Sequence, residues 1–216
     1  MNTNLVAYYN DRAAEYEKIY AKPERQDDLL RAATIVQDIF ANKQVLEIAC
    51  GTGYWTERIA QSATSILATD INAAVIDVAK RKTYPNDKVF FEIADIFNLP
   101  DQNQYESLFA GFIWSHILLQ DLDKFLQTVN NLVSPGGTIV FMDNHFVAGS
   151  NHPITKIDAQ GNTFQTRKLE DGTEHLVLKN FPTAAFIHHK LEGSANAVKV
   201  INLTYYWILI YETSSE

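Results

Sequence analysis

The sequence predicts an α/β fold: a seven-stranded sheet of five parallel strands and a C-terminal antiparallel pair, with helices on both faces. Short apolar segments alternate with helical segments of roughly 10–15 residues, which is the pattern of βαβ units. Beyond Asp143, two strands follow each other with almost nothing between them. Strands joined that tightly must be antiparallel, because a parallel return needs a long crossover. The length of 216 residues fits one domain, expected to span 1–216.

The N-terminal and central parts of the chain supply the helical cap and the parallel strands. A cap over residues 1–42 contains two predicted helices, Asp11–Tyr20 and Glu24–Phe40, the second with apolar residues at helical spacing. A core over residues 43–143 follows. Its five predicted strands are Gln44–Ala49, Ser65–Asp70, Lys88–Ile93, Ser107–Trp114 and Gly137–Asp143. The helices predicted between them are Trp55–Ser62, Ala73–Lys82 and Asp121–Val133.

The C-terminal third departs from this alternation. Asp171–Gly172 is a strong turn dipeptide between two strand-like segments, so residues 144–181 are predicted to contain an inserted β-hairpin. Residues 182–216 should add a helix and the antiparallel pair. The predicted elements are the hairpin strands Phe164–Leu169 and Glu174–Lys179, the helix Thr183–Leu191, and the strands Ala197–Leu203 and Tyr205–Tyr211.

Composition and charge exclude several classes of protein. Apolar residues make up 46% and charged residues 20%, which excludes disorder, collagen and coiled coil. Eighteen Lys and Arg against 26 Asp and Glu give a net charge of −8. Proteins that neutralise phosphates carry the opposite bias, so no nucleic-acid partner is expected. The single cysteine, Cys50, excludes an internal disulfide and a multi-cysteine zinc site, and it is interpreted as a small packing residue.

The expected location is the cytoplasm, without a membrane partner. The N-terminus has no basic lead, sustained apolar stretch or small-residue cleavage site. The longest apolar runs, Leu108–Trp114 and Tyr205–Tyr211, are far shorter than the about 20 residues that span a bilayer. No metal site is expected, because no H-x₃-H or carboxylate–histidine spacing occurs. The oligomeric state is not readable from the sequence, and a homodimer stays open.

The most informative segment is VLEIACGTG, from Val45 to Gly53. A strand that ends in Gly-x-Gly before a helix lets the backbone approach a ligand closely, and ligands of open α/β sheets bind beyond the carboxyl ends of the strands. Asp70 ends the second strand, 19 residues after Gly51, where an acid can accept hydrogen bonds from both ribose hydroxyls. Thr56 stands where a dinucleotide-binding turn needs a third glycine. The turn therefore suits a nucleoside with an amino-acid tail better than a pyrophosphate.

Between about Val45 and Asp143 the chain resembles the class I S-adenosylmethionine-dependent methyltransferases. The segments that carry the resemblance are Glu47–Gly53, Asp70–Ile71, Ala94–Ile96, Trp114–His116 and Ser134–Gly137, which match the family's motifs in order. The resemblance implies a Rossmann-like fold with S-adenosyl-L-methionine as cofactor. It also implies methyl transfer to O, N or C of a small-molecule acceptor.

The resemblance assigns roles at the cofactor. It implies that the glycine turn passes under the methionine part, that Asp70 binds the ribose and that Asp95 meets the adenine amino group. The full predicted set is Glu47, Ala49, Gly51, Gly53, Asp70, Ile71, Asp95, Ile96, Trp114, Tyr16 and Tyr20. A buried Glu47 needs a partner, either a ligand ammonium or a backbone amide. Asp95 has an alternative interpretation as the cap of the next turn.

The N-terminal segment Tyr8–Tyr16 resembles a leader that folds over the cofactor in many bacterial small-molecule methyltransferases. Tyr16 and Tyr20 are predicted to face the sulfonium, because aromatic rings attract cations. Core packing of the two rings, four residues apart, is the open alternative. Arg12 has two interpretations as well, a contact with the cofactor carboxylate or a surface ion pair.

Residues that face the acceptor should follow the fourth and fifth strands. His116 and His145 are predicted to act as a general base or to orient the acceptor, because imidazole titrates near neutral pH. Ordinary hydrogen-bonded structure is the alternative for both. Ser115, Asn144 and Arg167 are predicted to contact the substrate, with Arg167 pairing an acidic or carbonyl group. The inserted hairpin is interpreted as a lid, or else as an extension of the sheet for stability or dimerisation.

Two other functions stay open at this point. A nicotinamide-dependent oxidoreductase would use a similar fold, although Thr56 argues against it. A non-catalytic module that binds S-adenosylmethionine is not distinguished by sequence, because methyl transfer needs little dedicated acid–base machinery.

Overall fold

The structure is a computed structural model that describes residues 16–85, 87–99 and 104–214, with only the backbone at Tyr16. The first half of the predicted helix Asp11–Tyr20 lies outside these residues. Its last residues form a 3-10 helix, Tyr16–Ala21, which is followed by a second one, Pro23–Arg25.

Seven strands form the main sheet in the order β3-β2-β1-β4-β5-β10-β9. The parallel strands are β1 (Gln44–Ile48), β2 (Ser65–Asp70), β3 (Val89–Ile93), β4 (Tyr105–Gly111) and β5 (Val133–Asn144). β10 (Tyr206–Thr213) pairs antiparallel with both β5 and β9 (Ala195–Asn202). The predicted sheet of five parallel strands and a C-terminal antiparallel pair is confirmed.

Helices cover both faces of this sheet. They are α1 (Gln26–Phe40), α2 (Tyr54–Ile59), α3 (Ala73–Lys80), α4 (Leu122–Leu132) and α5 (Ala184–Leu191). Successive strand residues point to opposite faces, so Phe109 joins the apolar cluster under α1 and α2, whereas Leu108 joins the cluster under α4 and α5. Within the described ranges, none of the helices combines the length and the apolar character needed to cross a membrane.

The fourth strand is shorter than the sequence predicts. The prediction extends it to Trp114, whereas β4 ends at Gly111 and Trp114–His116 form a 3-10 turn. The cause is Phe112, whose φ of 61° lies in the left-handed region and turns the chain out of the sheet. The prediction had no means of detecting this, because phenylalanine is not a residue that usually adopts this conformation.

A second, three-stranded antiparallel sheet contains the predicted hairpin. It consists of β6 (Lys156–Ile157), β7 (Thr163–Lys168) and β8 (Glu174–Leu178). The register pairs Arg167 with His175, so the turn falls at Asp171–Gly172 as predicted. The two-residue strand β6 was not predicted, because so short a strand leaves no periodic pattern.

The strand order locates the ligand-binding edge. From β1 the chain proceeds to β2 and β3 on one side, and then returns to β4 and β5 on the other side. Ligands of such sheets bind beyond the carboxyl ends of the strands at this reversal, between β1 and β4. The segments that follow β1, β2, β4 and β5 therefore share one edge.

Candidate functional site

The turn after β1 has a left-handed backbone at three positions. The φ angles are 53° at Ala49, 56° at Gly51 and 79° at Gly53. Alanine rarely adopts this conformation, and such strain persists where surrounding structure enforces it, often at ligand sites. At Gly53 a Cβ would collide with the Tyr84 hydroxyl, so both space and backbone require glycine there. The turn presents bare backbone at the ligand-binding edge.

Asp70 ties this turn to the end of β2. Its Oδ2 accepts a hydrogen bond from the Gly51 amide at 2.9 Å, and its Oδ1 accepts one from the Asn72 amide at 2.9 Å. Burial raises the pKa of the carboxyl, while the amide donors act in the opposite direction. Each carboxylate oxygen has a further lone pair, so Asp70 can accept additional hydrogen bonds. The half-buried Ile71 follows it directly.

Glu47 is a buried acid within β1, 1% exposed. Its Oε2 has no hydrogen-bond partner among the described residues. The pKa of Glu47 is raised to about 8, chiefly by burial and also by the negative charge of Asp70. The nearby Thr56 hydroxyl acts in the opposite direction, without reaching hydrogen-bond geometry. Of the two partners predicted for a buried Glu47, the described residues supply no backbone amide to this oxygen. The other predicted partner, a ligand ammonium, stays a prediction.

The acid after β3 caps the next turn. Asp95 Oδ1 accepts a hydrogen bond from the Phe97 amide at 3.1 Å, at the start of the 3-10 helix Ile96–Asn98. This is the capping interpretation, and it occupies only one of the two carboxylate oxygens. Ile96 is buried, 5% exposed. The contact of Asp95 with an adenine amino group stays a prediction.

An aromatic stack lies beside the glycine turn. The Tyr20 ring is parallel to the Tyr54 ring, with centroids 3.6 Å apart and planes 6° apart. Tyr54 is the first residue of α2, directly after Gly53, and the Arg58 guanidinium covers the Tyr54 ring at 3.3 Å from its centroid. Tyr20 therefore lies near the turn, as the prediction of a cofactor contact requires. The Tyr16 side chain and Arg12 lie outside the described residues.

Trp114 is placed in the apolar core. It is 2% exposed and packs edge-on against Phe141 and Trp207, with centroids 5.2 and 5.7 Å away. The structure thus gives Trp114 a packing role under the sheet. Its predicted contact with the cofactor is not evident from these contacts and stays a prediction.

Ser115, Asp143 and Lys179 form a buried polar network where β4, β5 and β8 end. The Lys179 ammonium donates to Ser115 Oγ at 2.6 Å and to Asp143 Oδ1 at 2.7 Å, and the Ser115 amide donates to Asp143 Oδ2 at 2.9 Å. Burial lowers the pKa of Lys179 to about 8, although the Asp143 carboxylate opposes this shift. Sequence analysis did not select Lys179. The available signal was a cation at the end of the apolar strand LVLK.

The two predicted histidines lie in different environments. His116 is 8% exposed, and its Nδ1 lies 2.6 Å from the Leu178 carbonyl oxygen. A carbonyl only accepts, so Nδ1 carries the proton and Nε2 is the basic nitrogen of the neutral ring. His145 is half-buried near Asn202 and Asp28, and burial lowers its pKa. The contacts of the two rings do not bring them together.

The predicted substrate residues differ in how they are held. Ser115 belongs to the buried network, and the Asn144 amide donates to Asp143 Oδ1 at 2.8 Å. Arg167 is half-buried on β7 and donates from Nε and Nη2 to Gln165 Oε1 at 3.3 and 2.8 Å. Ser115 and Asn144 thus lie at the ends of β4 and β5 in the main sheet, whereas Arg167 lies on the second sheet. Among the described residues, no group of three or more His, Cys, Asp and Glu side chains could hold a metal ion.

The central part of the chain matches a known protein-family model. Residues 45–137 match the family model described as "Methyltransferase domain". The demethylmenaquinone methyltransferase of Clavibacter sepedonicus is 28% identical over 120 residues, which cover 54% of this chain and 48% of that protein. The malonyl-[acyl-carrier protein] O-methyltransferase of Priestia megaterium is 31% identical over 108 residues, which cover 47% of this chain and 38% of that protein. The matched regions thus span about half or less of these relatives.

Solved structures extend the similarity to almost the whole chain. The DhpI–SAH complex superimposes with a TM-score of 0.80 at 24% identity and covers 99% of this chain and 97% of that one. The N-methyltransferase NodS of Bradyrhizobium japonicum, in complex with S-adenosyl-L-homocysteine, gives 0.69 at 13% identity and covers 97% of this chain and 98% of that one. The resemblance to class I methyltransferases is confirmed in the domain match and in the fold.

Proposed function

We propose that this chain is an S-adenosyl-L-methionine-dependent methyltransferase that transfers a methyl group to O, N or C of a small-molecule acceptor. The observation that carries the proposal is the arrangement of Glu47, Asp70 and the glycine turn at one end of β1. It combines a bare backbone turn, a carboxylate fixed beside it, and a buried acid whose Oε2 has no partner among the described residues.

The residues present fit this cofactor. The unpartnered Glu47 oxygen would accept from the ammonium of the methionine part, and the remaining lone pairs of Asp70 would accept from the ribose hydroxyls. Ala49, Gly51, Ile71, Asp95 and Ile96 complete the proposed cofactor set, with Trp114, Tyr16 and Tyr20 at its margin. The Tyr20–Tyr54 stack is suited to lie near a sulfonium, because aromatic rings attract cations.

S-Adenosyl-L-methionine supplies a methyl group already activated by its sulfonium leaving group. The protein therefore contributes mainly alignment and the exclusion of water. His116 is the proposed base for an acceptor that must lose a proton, because the Leu178 carbonyl fixes its tautomer with Nε2 as the basic nitrogen. His145, whose pKa burial lowers, is proposed to orient the acceptor. Ser115, Asn144 and Arg167 are the proposed acceptor contacts.

The relatives support an acceptor of this class without specifying it. Their names record demethylmenaquinone and malonyl-[acyl-carrier protein] as substrates of those proteins. We propose one domain over residues 1–216, with cap, core, hairpin insertion and C-terminal part at 1–42, 43–143, 144–181 and 182–216. In this proposal the second sheet acts as a lid and the protein is cytoplasmic.

Calorimetric titration with S-adenosyl-L-homocysteine tests the cofactor assignment. Saturable binding is expected, and Asp70→Asn should weaken it about tenfold or more, because it removes a charged acceptor. Asp77→Asn, on the exposed side of α3, is the matched control and should leave the affinity unchanged. Binding of NAD in place of S-adenosyl-L-homocysteine would replace the proposal with the oxidoreductase alternative.

A second assay distinguishes an enzyme from a binding module. The full-length chain is incubated with methyl-labelled S-adenosyl-L-methionine and the small-molecule fraction of a cell extract. Label transferred to a small molecule is expected. Tight cofactor binding without any transfer would favour the non-catalytic alternative.

A further inference from the structure

Three cationic side chains from separate parts of the chain lie close enough together for their charges to interact. They are Arg25 from the 3-10 helix Pro23–Arg25, Arg167 from β7, and Lys179 directly after β8. Positive charge on Arg167 and on Arg25 acts on Lys179 and lowers its pKa, in addition to the larger effect of burial. Like charges are thus held together in a protein whose net charge is −8.

Phe112 and Tyr206 connect two of these cations, Lys179 and Arg25. The Lys179 ammonium lies 6.0 Å from the centroid of the Phe112 ring, and the Phe112 and Tyr206 rings are 5.8 Å apart. The Arg25 guanidinium lies 5.6 Å from the Tyr206 centroid. Lys179 and Arg25 therefore border one aromatic wall, formed by the Phe112 and Tyr206 rings, which Phe112 can join because its left-handed backbone carries it out of β4.

The same wall leads to the proposed cofactor turn. The Phe112 ring lies 6.1 Å from Tyr20, and Tyr20 stacks on Tyr54, the residue that follows Gly53. The cationic region is therefore next to the place where a methyl donor would bind. It lies at the ends of β4 and β5, where an acceptor is expected.

Arg25 is a buried charge without a carboxylate partner among the described residues. It is 6% exposed, and its guanidinium donates to Ser150 Oγ at 2.9 and 3.0 Å and to the Ser150 carbonyl at 3.2 Å. Glu24 reaches it only indirectly, by accepting from the same Ser150 hydroxyl. Buried charges are usually paired, because removal from water is costly. A ligand anion would supply the missing partner.

Lys179 retains the capacity to bind an anion. Lys179 gives two of its three ammonium protons to Ser115 and Asp143. Arg167 donates from Nε and Nη2 to the Gln165 amide oxygen, which carries no charge. Guanidinium groups match carboxylate and phosphoryl oxygens in a bidentate geometry.

We propose that the methyl acceptor carries an oxyanionic group, a carboxylate or a phosphoryl group, that binds between Arg25, Arg167 and Lys179. This inference rests on the proposed function, because it specifies the substrate class of the same site. It commits the acceptor to an acid, and not to a neutral or cationic molecule.

The test uses the full-length chain saturated with S-adenosyl-L-homocysteine, titrated in separate experiments with inorganic phosphate and with acetate. Saturable binding of at least one anion is expected, and the one that binds identifies the phosphoryl or the carboxylate class. Arg167→Gln and the conservative Arg25→Lys should each weaken it about tenfold, the loss of one charge-assisted bond. Arg31→Gln, on the exposed side of α1, should leave it unchanged.

The failure of this inference is separable from failure of the proposed function. Absence of S-adenosyl-L-homocysteine binding would overturn the function itself. Normal binding of that compound, with no saturable anion binding or with anion affinity equal in wild type and Arg167→Gln, would overturn the acidic acceptor alone. Should Arg25→Lys fail to fold, the half-buried Arg167 variant decides the outcome.

Discussion

The Lys179 ammonium lies 2.7 Å from Asp143 Oδ1, and the two side chains are 4% and 0% exposed. This buried ion pair joins the end of β8 in the small sheet to the end of β5 in the main sheet. Ser115 binds both partners and so adds the segment after β4. The pair therefore fixes the small sheet over the edge where the acceptor is expected.

We expect Lys179→Met to lower the free energy of unfolding by about 3–5 kcal/mol, because it leaves the Asp143 carboxylate buried without its cation. The measurement is urea denaturation of the full-length chain at pH 7. Adding Asp143→Asn to Lys179→Met should recover part of the loss, because no buried charge then remains.

Lys190→Met is the matched control for that experiment. Lys190 also lies 2.7 Å from a carboxylate, Asp123, but the Asp123 side chain is 72% exposed. An exposed pair contributes about 1 kcal/mol or less. Equal effects of the two substitutions would show that burial of the Lys179 pair has no special energetic role.

The pH dependence of stability should report on Glu47. Its pKa is raised from 4.5 to about 8 in the folded chain, so between these values the folded state holds a proton that the unfolded state has lost. Stability from this group is therefore fully present below about pH 4.5 and is lost as pH rises through 8. The slope approaches about 1.4 kcal/mol per pH unit. Urea denaturation without ligand at pH 5, 6, 7 and 8 measures it.

Glu47→Gln isolates this contribution, because glutamine does not titrate. The difference in unfolding free energy between this variant and wild type should grow in favour of the variant from pH 5 to pH 8. Other titrating groups cancel in the difference, including Lys179. A difference that stays constant over this range would mean that Glu47 ionises normally in the folded protein.

The sequence predicted the sheet well because its signals are local. Each parallel strand is a short apolar run, and the glycine turn and Asp70 follow strand ends that can be read directly. The grouping of Arg25, Arg167 and Lys179 could not be predicted in this way. Arg25 and Lys179 are far apart in the chain, and only the return of the small sheet over β4 and β5 brings Lys179 near Phe112.

Local sequence signals do not suffice where tertiary contacts decide the role of a side chain or the conformation of the backbone. At Asp95 the structure shows the cap, made through one carboxylate oxygen, that the sequence offered only as the alternative, and the predicted contact of this carboxyl with the adenine amino group stays a prediction. The sequence predicts that the fourth strand ends at Trp114. In the structure, the left-handed backbone of Phe112 ends the strand earlier and places Trp114 in a 3-10 turn against Trp207. A single sequence does not encode a positive φ at phenylalanine in any recognisable pattern.

Gly53→Ala should destabilise the protein more than Gly149→Ala. Both glycines have left-handed backbone, with φ of 79° and 82°, so each alanine costs roughly 1–2 kcal/mol in strain. At Gly149 a Cβ meets nothing within 4 Å, whereas at Gly53 it collides with the Tyr84 hydroxyl. Thermal and urea unfolding measure the additional loss of stability, the excess, that Gly53→Ala causes over Gly149→Ala. Tyr84→Phe removes the hydroxyl and should reduce that excess, and no reduction would place its cause elsewhere.

Binding of S-adenosyl-L-homocysteine should release close to one proton at pH 7. With a pKa of about 8, Glu47 is mostly protonated in the free protein, and a ligand ammonium beside it favours the ionised form. Calorimetry in imidazole and in Tris, which differ in ionisation enthalpy and supply no phosphoryl or carboxylate group, gives the number of protons released. Glu47→Gln should still bind the compound, more weakly, and release fewer protons. Equal proton release from wild type and Glu47→Gln would show that the ammonium does not bind next to Glu47, even if the affinity is high.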